Sequence, residues 1–200
     1  MIRRALISVY DKSCLEALLP CLSSLGFEII ASGRTAQRIG ELGYSCVETS
    51  LFTGYPESPR GLVKTLHPKI HGGLMLNPND PDDSKYMRQQ GIVPIDLLIS
   101  NLYPFEKIAA KKEVTLQQAA ENIDIGGQAL IRAAAKAALL TGRVSVLTNP
   151  SQYESFMEEI KKNKGEISKE SRRRLAKEAF ALTSGYDLAI KEYLTIFGDA

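Results

Sequence analysis

Strand-like and helical patterns alternate along this chain over short loops, which predicts an α/β fold: a mostly parallel sheet covered by helices on both faces. Three observations carry that prediction. Apolar runs at 4–10, 27–31 and 95–100 each stop at a polar turn, the first two turns run straight into helical patterns, and long helical stretches follow the last strand. With 200 residues, 44% hydrophobic and 24% charged, the chain can bury a substantial core. It reads as one domain, 1–200, with an α/β core over 1–150 and a helical C-terminal extension over 151–200.

Arg4–Tyr10 is the first strand, and Asp11-Lys12-Ser13 turns into a helix that Asp11 or Ser13 can cap. Pro20 falls inside that helix and predicts a kink or restart, and Gly26 ends it. Phe27–Ala31 is the second strand, leaving through Ser32-Gly33-Arg34-Thr35 into a short helix, and Tyr44–Thr49 is the third. The stretch 62–73, Leu-Val-Lys-Thr-Leu-His-Pro-Lys-Ile-His-Gly-Gly, holds both histidines, His67 and His71. So many donors between breakers predict an ordered loop presenting cations and N–H groups, closed by a glycine pair. Residues 77–84 read as a surface loop, 84–91 as a short helix and Ile95–Ser100 as a strand. Thr115–Asn122 is helical, Asp124 caps a helix over Gln128–Leu140, and Val144–Thr148 is the last strand. Helices over 151–162 and 168–197 complete the chain. The second of these has Leu175, Ala179, Leu182, Tyr186, Ile190 and Tyr193 as one apolar stripe.

Composition narrows the function. A net charge of +2 offers no strong field for nucleic acid or an acidic membrane, and Arg172-Arg173-Arg174 reads as a solvated helix start. The three cysteines lack CxxC spacing, which suits reduced thiols in a cytoplasmic protein. No secretory leader or membrane-length apolar run is apparent. His67 and His71 lack the glutamate and third ligand that a zinc helix needs, so no metal is expected.

The polar loops leave the carboxyl ends of strands, where parallel sheets bind ligands. Ser32-Gly33-x-Thr35 at a strand-to-helix junction offers hydroxyls and free N–H groups to a phosphate, although Ser and Thr are equally ordinary helix caps. Lys12 lies in the neighbouring loop, as a phosphate cation or a solvated lysine. Asn101 and Tyr103 exit another strand, with Tyr103 able instead to pack on Pro104. Asp124 before Gly126-Gly127 can leave glycine N–H groups free for a carbonyl or oxyanion. Lys136 among alanines suits either a site or the helix dipole.

Five ordered motifs carry a family resemblance: Ala-Ser-Gly-x-Thr-Ala (31–36), Val-Lys-Thr-Leu-His-Pro (63–68), Asn-Leu-Tyr-Pro-Phe (101–105), Ile-Asp-Ile-Gly-Gly (123–127) and Arg-Ala-Ala-Ala-Lys (132–136). With Ala-Phe-x-x-Thr-x-x-Tyr-Asp-x-Ala-Ile (179–190), the chain resembles the IMP cyclohydrolase (inosinicase) domain of the bifunctional purine-biosynthesis family PurH, without that family's AICAR formyltransferase half. The resemblance implies a methylglyoxal-synthase-like fold and a cytoplasmic homodimer. It implies ring closure of the formylated ribotide FAICAR to IMP, a cyclic-amidine hydrolase run in its synthetic direction with no cofactor. It implies a separate AICAR formyltransferase as partner. By motif match, Lys64, Tyr103, Asp124 and Lys136 are catalytic. Tyr10, Lys12, Ser32, Gly33, Arg34, Thr35, Thr65, His67, Asn101, Gly126 and Gly127 bind substrate.

Four positions depart from the family pattern: Tyr10 for Ser, Arg34 for Gly, Leu62 for Arg and Ala137 for Asn. Arg34 or Arg60 is expected to replace the charge missing at Leu62. A divergent site also fits a non-catalytic regulatory module that binds a purine ribotide, as in the allosteric domain of carbamoyl-phosphate synthetase. Methylglyoxal synthase itself fits less well, because its catalysis uses acidic residues in these loops.

Overall fold

The computed structural model describes residues 3–58, 61, 63–109 and 114–198. Among them, five parallel strands form one sheet in the order β3-β2-β1-β4-β5. The strands are β1 Arg3–Val9, β2 Phe27–Ala31, β3 Val47–Glu48, β4 Leu97–Asn101 and β5 Ser145–Leu147. Ala5, Leu6 and Ile7 on β1 are wholly buried, as are Leu98 and Ile99 on β4. Successive strand side chains point to opposite faces, so both faces of the sheet are covered.

The helices are α1 Leu15–Ser24, α2 Gly33–Glu41, α3 Thr49–Thr53, α4 Pro68–Met75, α5 Pro81–Gln90, α6 Phe105–Ala109, α7 Leu116–Glu121, α8 Gly126–Leu140, α9 Tyr153–Lys162 and α10 Lys169–Gly198. From β1 the chain steps outward to β2 and β3, then returns to lay β4 on the other side of β1. This reversal makes a switch point between the carboxyl ends of β1 and β4, the place where such sheets open a ligand crevice. Pairing of Ile7 with Ala31 and of Val9 with Asn101 brings the exits of β1, β2 and β4 to one edge.

α10 packs along α8 and against β5. Its Leu175, Ala176 and Ala179 join Tyr153, Phe156 and Ile160 of α9 in the main core. A smaller cluster unites Phe105, Ala119, Tyr186 and Tyr193. No helix among the described residues is long and apolar enough to cross a membrane.

The structure corrects several local expectations. The second half of 62–73 is a helix, α4, whose N-cap is His67: its Nδ1 accepts the Lys69 N–H at 3.1 Å. Pro68 takes the first helical position, where a missing N–H costs nothing. Gly72 and Gly73 are packing glycines inside the helix, since a Cβ on Gly73 would lie 2.6 Å from the Val93 carbonyl oxygen. Pro20 does not interrupt α1, because Leu18 and Leu19 before it and Cys21 and Leu22 after it are all held in the core. Neither Asp11 nor Ser13 caps that helix; Cys14 is its N-cap, and Asp11 Oδ1 accepts the Ser13 N–H at 2.9 Å. The third strand is shorter than expected, with 49–53 helical. Part of the 77–84 loop is the first turn of α5, where Asp80 accepts the Asp82 and Asp83 N–H groups and Pro81 follows it. α8 begins at Gly126 rather than Gln128.

Candidate active site

The turn from β2 into α2 is built around Gly33, whose φ of +52° is one that side chains rarely adopt. A Cβ there would stand 3.3 Å from Lys64 Nζ, so the Lys64 ammonium lies directly over this turn. Thr35 Oγ1 donates to the Val9 carbonyl at 3.2 Å and accepts the Val9 N–H at 3.3 Å, pinning the start of α2 to the end of β1. Ser32 is buried and extended, and its side chain makes no cap hydrogen bond. Lys12 Nζ donates to the carbonyls of Val9 (3.3 Å) and Tyr10 (3.1 Å), which holds it at the same edge. Burial pushes its pKa below the ordinary lysine range, and the nearby Arg34 and Lys64 charges push it further, with Asp11 opposing. Lys12, Arg34 and Lys64 thus converge on one turn without a carboxylate paired to them in a salt bridge among the described residues. That field favours an anion.

Asp124 is close enough to Lys64 to feel its charge. Its Oδ1 accepts the Gly127 N–H at 2.7 Å. Burial raises its pKa, while the N–H groups of Gly127 and Tyr103 and the Lys64 charge favour the ionised form. A Cβ on Gly126 would lie 2.8 Å from Thr65 Oγ1, and one on Gly127 would lie 2.6 Å from Asp124 Oδ2. Both glycines therefore let Thr65 and Asp124 fold over the start of α8. The expectation that both glycine N–H groups stay free is corrected: Asp124 engages that of Gly127. Lys64 is the link between the two halves, close enough to influence both Lys12 and Asp124.

Other predicted residues have structural duties. Asn101 Oδ1 accepts the N–H groups of Tyr10 (2.7 Å) and Asp11 (2.8 Å), and its Nδ2 donates to the Asp11 carbonyl at 2.9 Å. It braces the loop that carries Lys12. The Tyr10 and Tyr103 rings meet at 4.7 Å between centroids, both exposed at the mouth of the crevice. His67 spends Nδ1 on capping α4, and its ring pairs with Tyr55 at 6.0 Å. Burial, then the Lys69 charge, lowers its pKa. A cavity of ≈ 370 Å³ beside Lys64 is lined by Thr53, Tyr55, Val63, Leu66 and His67.

Residues 15–129 match the MGS-like domain family, and residues 134–199 match the AICARFT/IMPCHase bienzyme family. The chain belongs to the MGS-like domain family. This MGS-like domain is 46% identical over 192 residues to the bifunctional purine biosynthesis protein PurH of Leptospira biflexa, covering 96% of the chain and 37% of that protein. It is 45% identical over 194 residues to PurH of Rippkaea orientalis, covering 96% of the chain and again 37% of the relative. The chain thus spans 37% of the length of these curated relatives and corresponds to their IMP cyclohydrolase region. The crystal structure of ForH superposes with a TM-score of 0.83 at 28% identity, covering 97% of this chain and 100% of that one.

Lys136, in the segment that matches the bienzyme family, does not join the cluster. It is exposed on α8, nine residues beyond Gly127, or about 14 Å along the helix axis. Ala137 is buried in the core, so this departure lies in packing rather than in the crevice. Leu62 and Arg60 lie outside the described residues. The residue that sequence reasoning missed is Tyr186 on α10, whose Oη accepts the Asp124 N–H at 2.8 Å. Its sequence signals were a hydroxyl within an apolar stripe, where a buried tyrosine usually finds a polar partner, and its place in the 179–190 motif, neither of which names that partner.

Proposed function

We propose that this MGS-like domain is an IMP cyclohydrolase, converting FAICAR to IMP and water in the last step of de novo purine biosynthesis. The observation that carries this reading is the position of Lys64, over an anion-attracting turn and close enough to Asp124 to act on its charge. A ribotide has a phosphate for the first and a reacting carboxamide and formyl group for the second.

In the reaction, the carboxamide nitrogen attacks the formyl carbon and a C–N bond forms while charge builds on the formyl oxygen. Lys64 and the Gly126 N–H stabilise that oxygen. Asp124 accepts a proton from the carboxamide nitrogen, and Tyr103 lies beside it. The formyl oxygen then leaves as water, taking up two protons as the carboxamide and formamido nitrogens each lose one. Lys12, Arg34 and the 32–35 turn hold the phosphate, so that binding converts an intramolecular collision into a fixed geometry. Tyr10, Thr65, His67 and Asn101 frame the ligand or its loops. A homodimer, a separately encoded AICAR formyltransferase as partner, and a cytoplasmic location belong to the same proposal; the three free cysteines support the last.

One observation favours a second reading. Lys136 stands apart from the cluster, which suits a module that binds a purine ribotide without turning it over. Saturable IMP binding with no conversion of FAICAR would select that reading, and conversion would reject it.

Two predictions concern the phosphate side. Because the Lys12 pKa is lowered, its charge is lost as pH rises through a value below that of ordinary lysine. The alkaline limb of kcat/KM, which reports the free enzyme, should move upward in Lys12→Arg, whose guanidinium stays charged. A limb that does not move removes Lys12 from phosphate binding. Arg34→Gly should weaken IMP binding by about tenfold, the lower end for a charge-assisted contact because Arg34 is exposed. Unchanged affinity by calorimetry would mean that Arg34 does not compensate for Leu62.

A further inference from the structure

Tyr186 lies in the C-terminal helix, yet its hydroxyl reaches the loop that carries Asp124. The Asp124 N–H donates to Tyr186 Oη at 2.8 Å, and the Tyr186 O–H is directed to the Asn122 carbonyl at 3.4 Å. One hydroxyl therefore closes the turn 122–124 from behind. The ring is only 8% exposed and packs on Phe105 with centroids 6.1 Å apart. α10 also grips the start of α8: Gln128 Nε2 donates to the Thr183 carbonyl at 3.3 Å and to Asp187 Oδ1 at 3.4 Å. Asp124 belongs to the segment matching the MGS-like domain, and Tyr186 to the segment matching the bienzyme family.

We propose that Tyr186 is a positioning residue for Asp124, its hydroxyl holding the 122–124 turn so that the carboxylate faces Lys64 and the start of α8. The inference rests on the cyclohydrolase reading of this site. The groups facing the Asp124 carboxylate are the Lys64 ammonium and the N–H groups of Tyr103 and Gly127, and Asp187 is the further charge acting on Tyr186. Without the hydroxyl, the part-buried Asp124 N–H loses its protein acceptor and the turn relaxes. Misplacing a reacting group by about 1 Å is enough to lose about 100-fold in rate.

Tyr186→Phe keeps the ring and removes the hydroxyl. The expected result is a kcat for FAICAR lowered about 10- to 100-fold with KM little changed, and a displaced acidic limb of kcat/KM. The Asp124 carboxyl carbon, followed by NMR in the free protein, should also titrate at a changed pH. Tyr193→Phe is the control, removing another buried α10 hydroxyl, one that donates to the Val114 carbonyl at 3.3 Å; it should leave the profile in place. Equal effects from both variants, or an unchanged Asp124 titration in Tyr186→Phe, would overturn the proposal. So would fast exchange of the Asp124 amide proton in the folded wild-type protein, a measurement that needs no variant. If the wild-type protein fails to convert FAICAR, the cyclohydrolase reading fails, while the Asp124 titration and amide exchange still decide the role of Tyr186.

Discussion

Lys64→Ala is expected to lower kcat/KM for FAICAR by about 10²–10³-fold, the cost of removing one preorganised donor from developing charge. The effect should fall on both kinetic constants. The ammonium stands over the Gly33 turn and also influences Asp124, so truncation weakens the hold on the phosphate and strips charge from the reacting end. Lys64→Arg should recover little. The space over Gly33 already places Nζ 3.3 Å from where a Cβ would stand, and a planar guanidinium needs a different geometry. Full activity in Lys64→Ala, with correct folding shown by circular dichroism, would remove this residue from the mechanism.

Asp124→Asn is expected to lower kcat by about 10²–10⁴-fold, the range for loss of a general acid or base, with KM little altered. An amide oxygen can still accept the Gly127 N–H that Asp124 holds at 2.7 Å, so the start of α8 should keep its shape. The stability change should run the other way. Burial raises the Asp124 pKa above its unfolded value, so the fold holds the proton more tightly than the unfolded chain does. That contribution is fully present below the unfolded pKa and disappears as pH rises through the folded one. Above the folded pKa the charged carboxylate therefore costs the fold something, and the neutral amide should raise or preserve Tm there. A large fall in Tm on the alkaline side of the Asp124 titration would contradict this account of Asp124.

The sheet was legible because its central strands are unbroken apolar runs between polar turns, a pattern that survives in Ala5–Ile7 and Leu97–Ile99. α4 was not, since its signals look like breakers. His67 is a cap, Pro68 is a first-turn proline, and Gly73 makes room for the Val93 carbonyl. That last fact depends on a chain segment twenty residues away, which no local pattern contains. Asp80-Pro81 misled in the same way, as a helix start with the composition of a loop.

In the candidate site, the loops at the strand ends pointed to Lys12 and the 32–35 turn, and the family resemblance added Lys64 and Asp124. What donors and acceptors alone could not show was how they are spent. Asn101 uses both ends of its amide on the Lys12 loop, and the Gly127 N–H is taken by Asp124. Lys136 shares a helix with the glycine pair, but helical rise carries it away from them. Tyr186 was hidden because a tyrosine in an apolar stripe satisfies the packing pattern whatever its hydroxyl touches.

The most direct test is to mix the purified chain with FAICAR and follow the formation of IMP by its ultraviolet absorbance. The account predicts steady multiple-turnover conversion, in proportion to protein concentration and without added metal or cofactor. No conversion by folded protein that still binds IMP saturably would contradict it, leaving a ribotide-binding module with the fold of the enzyme.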